Sequence, residues 1–247
     1  MDRLIYSSLA AMRGAMARQT ATANNLANVN TAGFRAEMSN SQALWLNGPG
    51  FNGRATVSGE VQGADTKGGS VSTTGRDLDV ALNGDALLTV QASDGSEAYT
   101  RRGDLKLTDS GLLLNGDGTP VLGEGGPITL PPADSVSIQP DGTINIVPAG
   151  GDPKSPQAVD RLKLVTPAGS KIAKGVDGLF RVMGGGALPS DPDAKLTAKS
   201  LESSNVNASQ SLVDMIDASR AWETQIKMLT TAQDLDKSTA DLMQLPE

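Results

Sequence analysis

The sequence predicts a discontinuous α+β protein: N- and C-terminal helices that pair as a coiled coil, an extended connector and an all-β central domain. Three observations carry this. Of 28 glycines, only Gly14 and Gly33 precede position 48 and none follows Gly186, so helix-compatible ends flank a turn-rich middle. Apolar residues at both ends recur at alternating spacings of four and three, the heptad pattern. Between the ends, Asn-Gly and Asp-Gly pairs punctuate short apolar runs, as in β-hairpins.

The N-terminal segment, 1–34, places Ile5, Leu9, Met12, Met16, Gln19, Ala23 and Leu26 on one seam. Asp2 is positioned to cap the start of this helix, and Gly33 to close its end in the left-handed conformation. Residues 35–74, rich in Gly, Ser, Thr and Asn and without a helical period, form an extended connector or β-ribbon. Residues 75–202 form the β-rich domain. Its turns fall at Asn83-Gly84, Asp94-Gly95, Ser110-Gly111, Asn115-Gly116, Asp141-Gly142 and Asp177-Gly178.

The C-terminal segment, 203–247, repeats the helical pattern with Leu212, Met215, Ser219, Trp222, Ile226, Leu229, Gln233, Asp236, Ala240 and Met243. Asn207 with Gln210 resembles a capping box, and Glu223 precedes Lys227 by one helical turn in the favourable order. Residues 1–35 carry four arginines against Asp2, whereas 201–247 carry eight acids against three bases. The two helical ends are therefore complementary in charge, which sets pairing and orientation more than stability.

Composition excludes several functions. The chain has no cysteine and no histidine. Disulfides, thiolate nucleophiles, Ser-His-Asp constellations and nearly every zinc site are thereby removed. Net charge is −7, with no basic cluster interleaved with aromatics, so nucleic acid is not an expected partner. Arginines 3, 13 and 18 interrupt the N-terminal apolar residues, so neither a cleaved signal peptide nor membrane insertion is expected.

Asn115-Gly116-Asp117-Gly118 lacks the acidic set of a calcium loop and reads as a turn. Asp77 and Asp79 alternate with Leu78 and Val80, as on the solvated face of a strand, and nothing in the sequence assembles a catalytic pocket around them and Asp85. No catalytic residue, cofactor or metal ligand is expected.

The most unusual stretch is ANNLANVNTAGFR at 23–35, where Asn24, Asn25, Asn28 and Asn30 crowd the end of an apolar seam. Asparagine competes for backbone partners, so the stretch reads locally as a helix end. Together with MDRLIY at the start and LESSNVN at 201–207, it resembles the flagellar rod, hook and hook-associated proteins, and the resemblance runs nearly end to end. MDRLIY, GEGGPITLP at 123–131, DGLFR at 177–181 and DMIDASRAWETQIKML at 214–229 are most similar to the proximal-rod branch. TGRDLDVAL at 74–82, YTRRGDLKL at 99–107 and IQPDGTINI at 138–146 also match the family pattern. One departure is Ala86-Leu87-Leu88, where the family often has glycine followed by two aromatics.

The resemblance implies a structural, non-enzymatic subunit of the basal-body rod. It implies periplasmic assembly, export through the flagellar type III apparatus without a cleaved signal, and other rod proteins and copies of itself as partners. The expected assembly residues are Ile5, Leu9, Met12, Met16, Leu26, Asn24, Asn25, Asn28, Gly33 and Phe34 at one end, and Leu212, Met215, Trp222, Ile226, Leu229 and Met243 at the other. Two alternatives are a distal-rod or hook subunit and, in a different class, a secreted β-rich binding module. A carboxylate hydrolase built on Asp77, Asp79 and Asp85 is a third.

Overall fold

The computed structural model describes residues 2–45, 55–152 and 154–243, with side chains described at 8–39, 63–152 and 154–240. Two helices flank a long β-rich middle along the sequence, α1 at Asp2–Ala27 and α2 at Ala208–Met243. The chain divides into a helical unit, made of 1–27, 37–63 and 207–247, and a β-unit, made of 28–36 and 64–206. The connector expected at 35–74 is thus shared. Its 37–63 portion belongs with the helices and its 64–74 portion with the β-unit.

In the helical unit, α1 and α2 pack on one another. Strands Glu37–Trp45 and Ala55–Ala64 pair as a two-stranded ribbon. The start of α2 is capped as its sequence suggests, with Asn207 Oδ1 accepting the Gln210 N–H at 3.1 Å. The capping box does not close, because the Gln210 amide donates to Asp214 at 2.8 Å instead.

The β-unit is built on an antiparallel five-stranded sheet in the order Leu164–Val165, Leu87–Gln91, Glu97–Thr100, Phe180–Val182, Ile172–Lys174. A three-stranded sheet, Ala133–Ile138, Thr143–Pro148, Gln157–Arg161, accompanies it. Asp94-Gly95, Asp141-Gly142 and Asp177-Gly178 each link neighbouring antiparallel strands, with the glycines at positive φ. Two cores result. The larger contains Val80, Leu88, Leu105, Leu113, Ile128, Ile144, Leu162 and Leu196, and the smaller contains Leu87, Tyr99, Val165, Phe180 and Leu188. The departure at 86–88 is accommodated by burial of all three side chains, Leu87 and Leu88 pointing into different cores as strand alternation requires.

Asp79 corrects the expectation of a solvated strand face. It is buried, accepts the Thr74 hydroxyl at 2.7 Å and pairs with Arg76, while Asp77 stays exposed and pairs with Lys199. This carboxylate fastens the 74–79 turn within the β-unit.

Candidate assembly interface

The helices carry two kinds of apolar position. In α2 the residues withdrawn from solvent are Ser211, Met215, Ala218, Trp222, Gln225, Leu229, Ala232 and Asp236, spaced four and three, together with Ala221 beside Trp222. This is a heptad seam, and it shares Met215, Trp222, Leu229 and Asp236 with the sequence-derived one. At the alternate positions the inward residue lies one place earlier, so Leu212, Ser219, Ile226 and Gln233 turn outward. Leu212 is 50% exposed and Ile226 41%.

In α1 the buried residues are Ser8, Gly14, Ala15 and Ala21. Met12 and Leu26 are half-buried, whereas Leu9 (42%) and Met16 (53%) face outward. The fully buried positions on both helices are small residues, Met215, Trp222 and Leu229 are half-buried on the α2 seam, and Leu9, Met16, Leu212 and Ile226 remain exposed. Ile5 and Met243 lie outside the residues whose side chains are described.

Charged residues of both helices line one cleft of the helical unit. Arg18, Asn25 and Glu37 line it together with Asp214 and Asp217 of α2. Beside it, Asn25 behaves as a strand residue would. Its Oδ1 accepts the Glu37 N–H at 2.7 Å and its Nδ2 donates to the Glu37 carbonyl at 3.0 Å, while Asn24 donates to the Glu37 carboxylate at 2.6 Å. The asparagines thus hold the first ribbon strand against α1. Asn28 starts the turn that ends α1, its carbonyl and Oδ1 accepting from the N–H and hydroxyl of Thr31.

Gly33 does not close the helix, which ends at Ala27. It does adopt the left-handed conformation, φ +66°, and its N–H donates to the Glu202 carbonyl at 2.8 Å. A Cβ here would stand 2.3 Å from the Arg101 carbonyl oxygen, so the position demands glycine for space as well as for φ. Next to it, Phe34 carries the Lys174 ammonium 3.6 Å above its ring.

In the β-unit, the two ends of the chain meet at Glu202. One carboxylate oxygen pairs with Arg35 at 2.6 Å and takes the Gly69 N–H at 2.8 Å; the other pairs with Arg101 at 2.5 Å. Arg101 places its remaining donors on the carbonyls of Leu82, Gly84 and Ala86. All three charged side chains are at most 5% exposed. Burial opposes ionisation of Glu202 most strongly, but the bonds and charges of Arg101 and Arg35 outweigh it and hold the carboxyl below the usual glutamate value. Burial correspondingly lowers Arg101.

The sequence singled out both stretches, 23–35 and 201–207, yet not the pairing between them. Arg35, Arg101, Glu202 and Asn205 carry no periodic signal. The available clue was a single charged residue inside each otherwise uncharged block, Arg35 in 23–35 and Glu202 in 201–207. Among the described residues no group of acidic side chains is placed to hold a metal ion, and no helix is long and apolar enough to cross a membrane.

Three family models match along the chain: flagella basal body rod protein at 5–35, flagellar hook protein FlgE/F/G D1 domain at 81–146, and flagellar basal body rod FlgEFG protein C-terminal at 197–242. The chain is 38% identical to the flagellar basal-body rod protein FlgF of Salmonella typhimurium, covering 99% of this chain and all of that one. It is 39% identical to FlgF of Escherichia coli, over 95% of each. It is 32% identical to the rod protein FlgG of Bacillus subtilis, over 98% of this chain and 99% of that one. With its helical ends, its interlocked terminal motifs and relatives that match it from end to end, the chain belongs to the flagellar basal-body rod protein family, alongside FlgF.

Proposed function

We propose that this chain is a structural, non-enzymatic subunit of the bacterial flagellar basal-body rod, polymerising through its terminal helices into the axial shaft. The observation that supports it is the outward row of aliphatic side chains left by the intramolecular seam: Leu9 and Met16 on α1, Leu212, Ile216 and Ile226 on α2. A helical pair that leaves large apolar side chains exposed on both of its helices is incomplete alone, and equivalent helices of adjacent subunits complete it. Contacts of this staggered, head-to-tail kind do not close on themselves and generate a helical filament.

In this reading the helical unit forms the inner wall, the ribbon braces neighbours and the β-unit forms the outer layer. The neighbours are copies of the chain and other rod proteins, in the proximal layer of the rod within the periplasm. The chain reaches them through the flagellar type III export apparatus, without a cleaved signal. Identity of 38% and 39% to the FlgF proteins of Salmonella typhimurium and Escherichia coli, over nearly the whole chain, supports the FlgF-like, proximal placement.

The test is electron microscopy of basal bodies, with swimming scored, in a strain whose own copy is replaced by Ile226→Asp. The variant retains wild-type helical content in solution yet fails to enter rods, because the charge is placed in a dry contact between subunits. Rods and swimming indistinguishable from wild type would remove the outward row from the assembly surface.

A further inference from the structure

The chain passes between its two compact units four times, at 27/28, 36/37, 63/64 and 206/207. On the β-unit side, three of these passages meet at one side chain. Asn205 Oδ1 accepts the Ala36 N–H at 2.7 Å, and Asn205 Nδ2 donates to the carbonyls of Asp65 at 3.2 Å and Lys67 at 3.0 Å. The Asn205 N–H donates to the Phe34 carbonyl at 3.3 Å, and the Asp65 N–H to the Ala36 carbonyl at 2.8 Å.

This use of an amide is specific. Its single acceptor and both donors are all committed to the backbone, on the segments that enter and leave the ribbon, while the residue itself sits on the segment that leads into α2. Aspartate offers no donor, leucine neither donor nor acceptor, and alanine no reach. Asn205 belongs to neither apolar core and is half-exposed, so the β-unit does not depend on it for packing.

We infer that Asn205 is a positioning residue that binds three of the four passages into one bundle, so that the roots of the helical unit leave the β-unit at fixed separations. Pinning the roots shortens the effective loop between segments that must find each other and raises their local concentration, without adding a contact to the helices themselves. The inference rests on the rod reading, since its consequence is a helical unit ready to polymerise.

The experiment uses the full-length chain carrying Asn205→Ala or Asn205→Asp, both purified and returned to a strain lacking the gene. Hydrogen exchange is read at the Ala36 amide and at the core amides of Leu113 and Val121, which donate within the β-unit to Ile128 and Leu113. Asn205→Ala speeds exchange at Ala36 about tenfold, the scale of one lost hydrogen bond, leaves the core amides unchanged, and reduces swimming. Asn205→Asp, which keeps the acceptor and loses both donors, falls between the alanine variant and wild type at Ala36 and also swims poorly.

Unaltered exchange at Ala36 would remove the pin. Faster exchange in the core amides would make Asn205 an ordinary stability residue, and full swimming with a deprotected Ala36 would make the bundle dispensable; each overturns the inference. Failure of the wild-type chain itself to restore swimming would instead overturn the rod reading.

Discussion

Arg35 and Glu202 are ion-paired at 2.6 Å with both side chains almost fully withdrawn from water, so the block that follows α1 is tied to the block that precedes α2 by a dry charge contact. Arg101 completes the group at 2.5 Å on the other carboxylate oxygen. Two guanidiniums rest on one carboxylate, and removing it strands both.

Glu202→Gln keeps the shape of the side chain and removes its charge. Breaking a buried pair by neutralising one partner costs about 3–5 kcal/mol, and here it leaves the Arg35 and Arg101 charges facing each other. The midpoint of urea unfolding of the β-unit falls accordingly, with little change in the slope.

The same carboxylate sets an acid limit. Because the Glu202 pKa is lowered in the folded chain, its pairing contributes fully above the unfolded glutamate value, about 4.3, and that contribution is lost as pH falls through the lower folded value. The stability gap between wild type and Glu202→Gln is therefore widest at neutral pH, begins to narrow below about pH 4.3, and closes further into acid. Urea titrations of both chains between neutral and strongly acid pH measure it.

Two glycines respond oppositely to one methyl group. Gly33→Ala adopts a disfavoured φ and collides with the Arg101 backbone, so it destabilises by about 1–3 kcal/mol or more. Gly14 lies inside α1, where a Cβ would meet only the end of the Arg18 side chain at 3.8 Å, and Gly14→Ala stabilises the helix by roughly 0.5–1 kcal/mol. Thermal unfolding followed by circular dichroism distinguishes the two.

The fold class, the hairpin turns and half of the α2 seam were legible because they depend on local period and turn chemistry. The other half was displaced by one residue for a physical reason. The period places apolar side chains inward, whereas at the displaced positions the residues withdrawn from solvent are Ser211, Ala218, Gln225 and Ala232, alongside Met215, Trp222 and Leu229, and Leu212 and Ile226 are left exposed. In an assembling protein the greasiest row need not be the intramolecular one. Burial of Asp79 was hidden because alternation reports which face a side chain occupies, not whether Thr74 and Arg76 wait there. The meeting of Arg35, Arg101 and Glu202 depends on tertiary closure, which no local window contains.

The corrected seam makes its own prediction. Ala232→Asp buries a charge against α1 and lowers helical content in the full-length chain, whereas Gln233→Asp, one residue on and exposed, changes stability by no more than about 0.5 kcal/mol. Far-ultraviolet circular dichroism of the two variants reads the difference; equal helicity would return the seam to its sequence-derived register.

The helical unit takes its two helices from opposite ends of one polypeptide. A ribosome makes the first long before the second exists, so α1 has no partner within its own chain until the last segment is made. A chain cut short within α2 loses half-buried and buried seam positions such as Leu229 and Ala232, and with them the surface that α1 packs on.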